Sequence, residues 1–149
     1  MCFTVRKINI ILSLLLVVVC SWGQVTDAKN FTITPQTVVK TNLPKQAPCL
    51  FELQDILREQ FGQSAIMGGL RAKGNSVIEL WADSELEGKK HYILDISANK
   101  LSIRGATQKA IQYGLKALDK ILQEDVRNTA NKQIAPRRIE KCNHKNTKM

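Results

Sequence analysis

The chain has 149 residues, of which 44% are hydrophobic, 5% aromatic and 23% charged, and its formal net charge is +9. This length favours a single domain, and the few aromatic residues require a core built mainly from Leu, Ile, Val and Ala. No glycine-rich phosphate loop connects a predicted strand to a helix, and aromatic residues are not interleaved with the bases, so nucleotide and nucleic-acid binding are disfavoured.

The first 23 residues have the layout of a secretory signal peptide. Arg6 and Lys7 precede an apolar run over residues 8–19, and a small-x-small cleavage site ends at Gly23. The apolar run is too short to span a bilayer comfortably, although a permanent N-terminal anchor is the alternative. We therefore expect a mature chain that starts near Gln24, is secreted or periplasmic, and has no stable membrane span.

Extended segments and an amphipathic helix open the predicted mature chain. Residues 31–35 alternate apolar side chains with Thr, which favours an edge strand, and residues 38–39 continue the extended segment. Pro48 suits a first helical turn, and Gly62 is a typical stop signal. The apolar positions between them fall on one helical face: Leu50, Leu53, Ile56, Leu57 and Phe61.

The middle of the chain favours strands. Residues 65–70 are apolar, but a glycine pair weakens any strand there. Residues 77–82 alternate between two faces, as expected of a strand. Residues 92–96 and 101–103 alternate in the same way around a turn at residues 97–100, which predicts a hairpin.

An amphipathic helix over residues 108–123 is the clearest local prediction, with Thr107 as its cap. Gly114 interrupts its apolar face at a cost of about 1 kcal/mol, which is tolerated where a helix lies close against a sheet. Residues 134–139 suggest a last extended segment. This order predicts an α+β fold, with a mixed, mostly antiparallel sheet and two helices packed on one face.

Two cysteines, Cys49 and Cys142, remain in the predicted mature chain. An exported compartment permits a disulfide between them, but a buried Cys49 and a free thiol at Cys142 is the alternative. Together with His91 and His144 they lack the close paired spacing of zinc sites, so no metal or other cofactor is predicted. Residues 141–149 read as a basic, disordered tail.

A series of short motifs follows in a recognisable order. They are YILDIS at residues 92–97, LSI at 101–103, GAT at 105–107, a helix carrying Tyr113-Gly114-Leu115 and Leu118, and finally Ile134-Ala135-Pro136. This order resembles the N-terminal accessory domain, zincin-like and non-catalytic, of bacterial β-N-acetylhexosaminidases of glycoside hydrolase family 20. The resemblance is clearest over residues 77–140, about half of the mature chain, and covers residues 31–60 by layout only.

The resemblance implies a mixed sheet whose two helices lie against a following eight-stranded α/β barrel. In that family the barrel carries an adjacent Asp-Glu pair: the Glu protonates the glycosidic oxygen, and the Asp orients the acetamido group that acts as nucleophile. This sequence has no Asp-Glu pair, only the reversed Glu124-Asp125. We expect a non-catalytic accessory domain over residues 24–140, from a truncated or split gene, which supports a glycoside hydrolase barrel in cis or in trans.

Two other function classes are open. A free-standing carbohydrate-binding module would use Trp81 and Tyr92 to stack on sugars, whereas core or interface packing is the simpler role for these rings. A small hydrolase would need positioned carboxylates or a Cys nucleophile beside a His base, and no motif supports either. The candidate carboxylates read as solvated surface residues: Glu79, Asp83, Glu85, Glu87 and Asp95.

Overall fold

The computed structural model describes residues 29–128 and 133–142, which form eight strands and two helices. The predicted signal peptide and most of the predicted tail lie outside the described residues. Neither helix is long and apolar enough to cross a membrane. In chain order the elements are β1 Phe31–Thr32, β2 Val38–Thr41, α1 Pro48–Phe61, β3 Ile66–Met67, β4 Val77–Ala82, β5 Tyr92–Ile96, β6 Lys100–Gly105, α2 Gln108–Asn128, β7 Gln133–Ile134 and β8 Arg137–Lys141.

Six strands form the main sheet, in the order β3-β2-β4-β6-β5-β8, and β1 pairs with β7 in a second, two-stranded sheet. The predicted α+β class with a mixed sheet is confirmed. The expectation of mostly antiparallel pairing is wrong for the main sheet, because β2–β3, β2–β4 and β4–β6 are parallel and β5–β6 and β5–β8 antiparallel. The direction of each strand follows from its connection. After β2 the chain returns through α1, so that β4 runs parallel to β2. The chain then reverses twice, before and after β5, so that β6 runs parallel to β4.

Both helices begin and end close to where the sequence places them. Gly62 caps α1 in the left-handed conformation, with φ 71°, and donates its N–H to the Arg58 carbonyl. The Thr107 hydroxyl accepts the N–H of Ala110 at 3.1 Å, which confirms the predicted cap of α2. The second helix extends to Asn128, about a turn beyond its predicted end.

The core lies between these helices and one face of the sheet. Apolar side chains of α1 and α2 pack there against those of β4, β5 and β6, with the sheet contributing Ile78, Leu80, Leu94, Ile96, Leu101 and Ile103. Gly114 marks the close approach of α2 to the sheet. A Cβ atom there would lie 2.6 Å from Cγ2 of Ile103 and 3.3 Å from the Tyr92 ring, so only glycine fits without displacement.

The carboxyl end of the fold extends further than predicted. Strand β8 ends at Lys141, which the sequence interpretation assigned to the disordered tail. It pairs with β5 at the edge of the main sheet, with Lys141 opposite Tyr92. This pairing brings the residue after β8, Cys142, to the residue before β5, His91.

Candidate functional site

The sheet face opposite the helices is polar. Because side chains alternate along a strand, the residues between the core positions all point to this face. They line a shallow groove of 440 Å³: Glu79, Trp81, Ile93, Asp95, Lys100, Ser102, Arg104 and Arg138. Trp81 is half-buried within it, so an aromatic ring lies among charged and hydroxyl groups.

Ion pairs connect most of the charges along this face. Lys100 lies 3.6 Å from Glu79, and Arg138 lies 3.7 Å from Asp95. Arg104 lies 3.3 Å from Asp83, beyond the end of β4. Three of the candidate acids from the sequence, Glu79, Asp83 and Asp95, therefore each have a basic partner. Such pairing is typical of an ion-pair network on a protein surface.

Trp81 and Tyr92 lie on opposite faces of the sheet and do not form one sugar-stacking platform. Trp81 is opposite Arg104, which is itself opposite Ile93, so these three residues share the polar face. Tyr92 follows on the other face, is 4% exposed, and lies under α2 beside Gly114. Burial raises the pKa of Tyr92. Glycan contact through Trp81 alone stays a prediction.

A cluster of His91, Glu140 and Cys142 lies at the edge of the sheet. The Nε2 atom of His91 is 3.0 Å from Oε1 of Glu140 and 3.0 Å from Sγ of Cys142. His91 is buried, whereas Glu140 and Cys142 are exposed. His91 and Cys142 were considered as metal ligands from the sequence, but Glu140 was not, because no local pattern indicates that the pairing of β5 with β8 brings Glu140 beside His91.

Of the other candidates in that set, Cys49 is not in the cluster. Cys49 is buried in the first turn of α1, and both Cys49 and Cys142 are free thiols, so the considered disulfide is absent. Burial raises the pKa of the Cys49 thiol, and the Glu52 carboxylate adds to that increase. His144 lies outside the described residues.

A basic cleft of 710 Å³ adjoins the cluster, between α2 and the sheet edge. Its lysines project from both sides of the cleft: Lys90, Lys116, Lys120 and Lys141. Lys90 lies over the ring of Tyr113, with its Nζ atom 5.8 Å from the ring centroid, which is a cation–π distance.

Four large apolar side chains are exposed near α1 and β3: Phe51 (60%), Ile66 (52%), Met67 (47%) and Leu70 (60%). The side chain of Gln54 connects the two elements, because its Nε2 atom lies 3.0 Å from Sδ of Met67. Phe51 precedes Gln54 by three residues and therefore lies on the same flank of the helix. We call Phe51, Ile66, Met67 and Leu70 the apolar flank.

Solved structures of GH20 enzymes contain a part with the same fold as this chain. A Streptomyces plicatus β-hexosaminidase superimposes with a TM-score of 0.62 at 20% identity, over 76% of this chain and 23% of that one. A GH20 β-N-acetylhexosaminidase of Streptomyces coelicolor A3(2) gives 0.61 and 20%, with the same coverage. This chain has the fold of one part of GH20 β-hexosaminidases. No family model matches the sequence, and neither does any curated protein sequence.

More distant GH20 enzymes show the same partial match. The exo-β-N-acetylglucosaminidase of Vibrio harveyi, solved with N-acetylglucosamine, matches with a TM-score of 0.53 and 18% identity. The match covers 76% of this chain and 17% of that one. The chain thus spans less than a quarter of the enzymes it matches, and at this identity the likeness establishes the fold.

Proposed function

We propose that this chain is a non-catalytic accessory domain of a secreted glycoside hydrolase of the β-N-acetylhexosaminidase type. Its role is to pack against, and to stabilise, a catalytic barrel. The observation that carries this proposal is the partial match: 76% of this chain superimposes on 23% of the Streptomyces plicatus enzyme. Most of such an enzyme therefore lies outside the part that this fold represents.

The apolar flank supports the proposal physically. Clustered, exposed apolar side chains are typical of surfaces that another protein covers. Phe51 and Leu70 are each 60% exposed, whereas the apolar side chains of the core are buried. A barrel helix or loop that covered them would remove this area from water, and each side chain would contribute about 1.5–3 kcal/mol if fully buried.

The arrangement of the carboxylates supports a non-catalytic role. Glycosidases use a pair of carboxyl groups about 5–9.5 Å apart, or one carboxyl group with a substrate nucleophile. Glu79 and Asp95 instead form ion pairs with Lys100 and Arg138 on the polar face of the sheet, an arrangement typical of a structural surface network. We expect no turnover of p-nitrophenyl N-acetyl-β-glucosaminide by the purified chain. Turnover that Glu79→Ala or Asp95→Ala abolishes would overturn the non-catalytic assignment.

The decisive test is genetic and then biochemical. The source DNA is sequenced for about 250 codons beyond Met149, the usual size of an α/β barrel. A frame that encodes a barrel with an Asp-Glu pair supports the proposal, and co-expression then tests association directly. Phe51→Ser should weaken co-purification of the barrel, whereas Glu59→Gln, an exposed change on the same helix, should not. Failure of a recovered barrel to associate overturns the proposed packing role.

Glycan binding at the polar groove is a second candidate function, and the half-buried Trp81 is the observation that favours it. An aromatic ring surrounded by polar groups suits the apolar face and the hydroxyl groups of a sugar. We expect retention on immobilised chitin to be lost in Trp81→Ala and kept in Phe51→Ala, the matched aromatic change on the apolar flank. Retention that does not depend on Trp81 excludes the groove.

A further inference from the structure

We propose that His91, Glu140 and Cys142 form a Zn²⁺ site that fastens the end of β8 to the start of β5. The imidazole nitrogen, the carboxylate oxygen and the thiol sulfur all lie within 4.8 Å of one another. This site adjoins the polar groove, because Glu140 contacts Arg138 of the groove lining, and it is distinct from the apolar flank. It is independent of the accessory role proposed above.

The register of two antiparallel strands creates the cluster. Tyr92 is opposite Lys141 and Ile93 is opposite Glu140, so the next pair outward is His91 and Cys142. Because side chains alternate along a strand, His91, Glu140 and Cys142 point to the same face of the sheet. Residues on one face of such a pair lie close enough to share a ligand.

The backbone around His91 determines which ring nitrogen is available. The Nδ1 atom lies 3.0 Å from the carbonyl oxygen of Glu87, an acceptor, so Nδ1 carries the proton. Gly88 makes the intervening turn with φ 93°, a conformation that favours glycine, and the His91 N–H donates to its carbonyl. A hydrogen bond from Nδ1 to a carbonyl is the usual outer support of a metal-binding histidine.

With the proton on Nδ1, the lone pair of Nε2 points toward the other two groups. The Glu140 carboxylate is also an acceptor and lies 3.0 Å from Nε2. Two facing acceptors repel unless a second proton or a cation lies between them. A cation satisfies Nε2, the carboxylate and a Cys142 thiolate together, whereas one proton cannot.

The donor set and its spacing select zinc. Nitrogen, sulfur and carboxylate oxygen together suit a borderline cation such as Zn²⁺, whereas Mg²⁺ and Ca²⁺ prefer oxygen alone. Zinc bonds of about 2.0–2.3 Å place neighbouring ligand atoms about 3.3–3.7 Å apart in a tetrahedron. The three separations here, 3.0, 3.0 and 4.0 Å, are within small side-chain adjustments of those values.

The second carboxylate oxygen of Glu140 is also supported. Its Oε2 atom lies 3.7 Å from a guanidinium nitrogen of Arg138, and Arg138 also contacts Asp95. This contact leaves Oε1 directed at His91. The exposed position of Cys142 leaves a fourth coordination position accessible to water, since three protein ligands and a water complete a tetrahedral zinc site.

Zinc titration of the purified chain tests the proposal. We expect one equivalent to bind, and Cys142→Ser to weaken its affinity by at least about 100-fold, because losing only an outer partner costs about 10–100-fold. Glu140→Gln should also weaken binding, whereas Glu85→Gln, an exposed carboxylate in the preceding loop, should leave it unchanged. All of these variants change exposed side chains, so their folding should be intact.

Cobalt gives a readout that identifies the sulfur ligand. The Co²⁺-loaded chain should show a thiolate-to-cobalt charge-transfer band in the near ultraviolet, and Cys142→Ser should abolish it. Zn²⁺ should raise the midpoint of thermal unfolding of the wild type but not of Cys142→Ser. Zinc affinity equal in the wild type and Cys142→Ser, or a cobalt complex without a thiolate band, would overturn the site and leave only the direct contact between His91 and Glu140.

Discussion

The two faces of the six-stranded sheet use the same strands for different purposes. One face packs under both helices, and its residues on β4, β5 and β6 are almost completely buried, as Ile78, Leu80 and Leu94 show. The other face presents Trp81 among ion pairs that are partly exposed to solvent. Stability is therefore concentrated on the helical side, and the polar side is free to vary or to bind. Five expected results test this division, from the largest effect to the smallest.

Leu115→Ala should produce the largest loss. Leu115 is fully buried where α2 meets the sheet, and deleting such a side chain costs about 2–5 kcal/mol, including the cavity left behind. Urea unfolding of the variant measures this loss. Lys116→Ala, the exposed neighbour, is the control and should change the free energy of unfolding by less than about 0.5 kcal/mol. Equal effects would remove the distinction between the two sides of α2.

Gly114→Ala should also destabilise the fold, although alanine is the better helix former. The added methyl group would meet Ile103 at 2.6 Å, and overpacking of this kind costs about 1–3 kcal/mol. That cost exceeds the gain of about 1 kcal/mol in helix propensity. Gly69→Ala is the contrast, since no atom lies within 4 Å of the new Cβ; chain stiffening should stabilise by about 0.4–1 kcal/mol. A Gly114→Ala variant more stable than the wild type would contradict the close approach of α2.

Asp95→Asn, on the polar face, should be nearly neutral. Its partner Arg138 lies 3.7 Å away and both side chains are about half exposed, so the pair contributes about 0–1 kcal/mol. The small loss should shrink further at high salt, because added ions screen the pair. Chemical unfolding at two salt concentrations measures both quantities. A loss as large as that of Leu115→Ala would show that the polar face is part of the stable core.

The buried Cys49 thiol should make the stability of the helical side depend on pH. In the folded state burial raises the pKa of Cys49, so the folded chain keeps this proton at pH values where the unfolded chain loses it. The contribution of this thiol to the free energy of unfolding is therefore complete at pH values below the ordinary pKa of cysteine. It decreases as the pH rises above that value. Tyr92, whose pKa burial also raises, adds a similar decrease at higher pH. Cys49→Ala should flatten the first part of this decline, measured by urea unfolding across alkaline pH.

Alkylation separates the thiols directly. Cys142 is exposed and should react with iodoacetamide in the folded chain, whereas Cys49 should react only after unfolding. Mass spectrometry of the modified peptides identifies each site. Rapid modification of Cys49 under native conditions would place α1 outside the stable core.

Local signals in the sequence predicted most elements of the fold. The alternation of residues 77–82 and the cap at Thr107 depend on near neighbours, and both appear as predicted. The parallel pairing of β2, β4 and β6 was not predicted, because alternation shows that a segment is extended but not which strand lies beside it. The predicted α+β class is still correct, because it depends on which helices and strands form and not on the direction in which the strands run.

The candidate sites were harder to predict because they depend on strand register. The alternation of side chains within β4 and within β5 was predicted from the sequence. Only the pairing of both strands with β6 shows that Trp81 and Tyr92 point to opposite faces of the sheet. Glu140 joins His91 across 49 residues of sequence, through a strand that the sequence assigned only loosely. A one-residue shift of β8 would turn Glu140 and Cys142 away from His91.

The small sheet formed by β1 and β7 affects how the domain unfolds. Phe31 lies opposite Ile134, both are fully buried, and the Asn30 side chain donates a hydrogen bond to Gln133 across 103 positions. Strand β1 therefore cannot detach from the fold without exposing β7, the strand that follows α2. Hydrogen exchange should show the amides of both segments opening together, as one cooperative unit whose halves do not unfold separately.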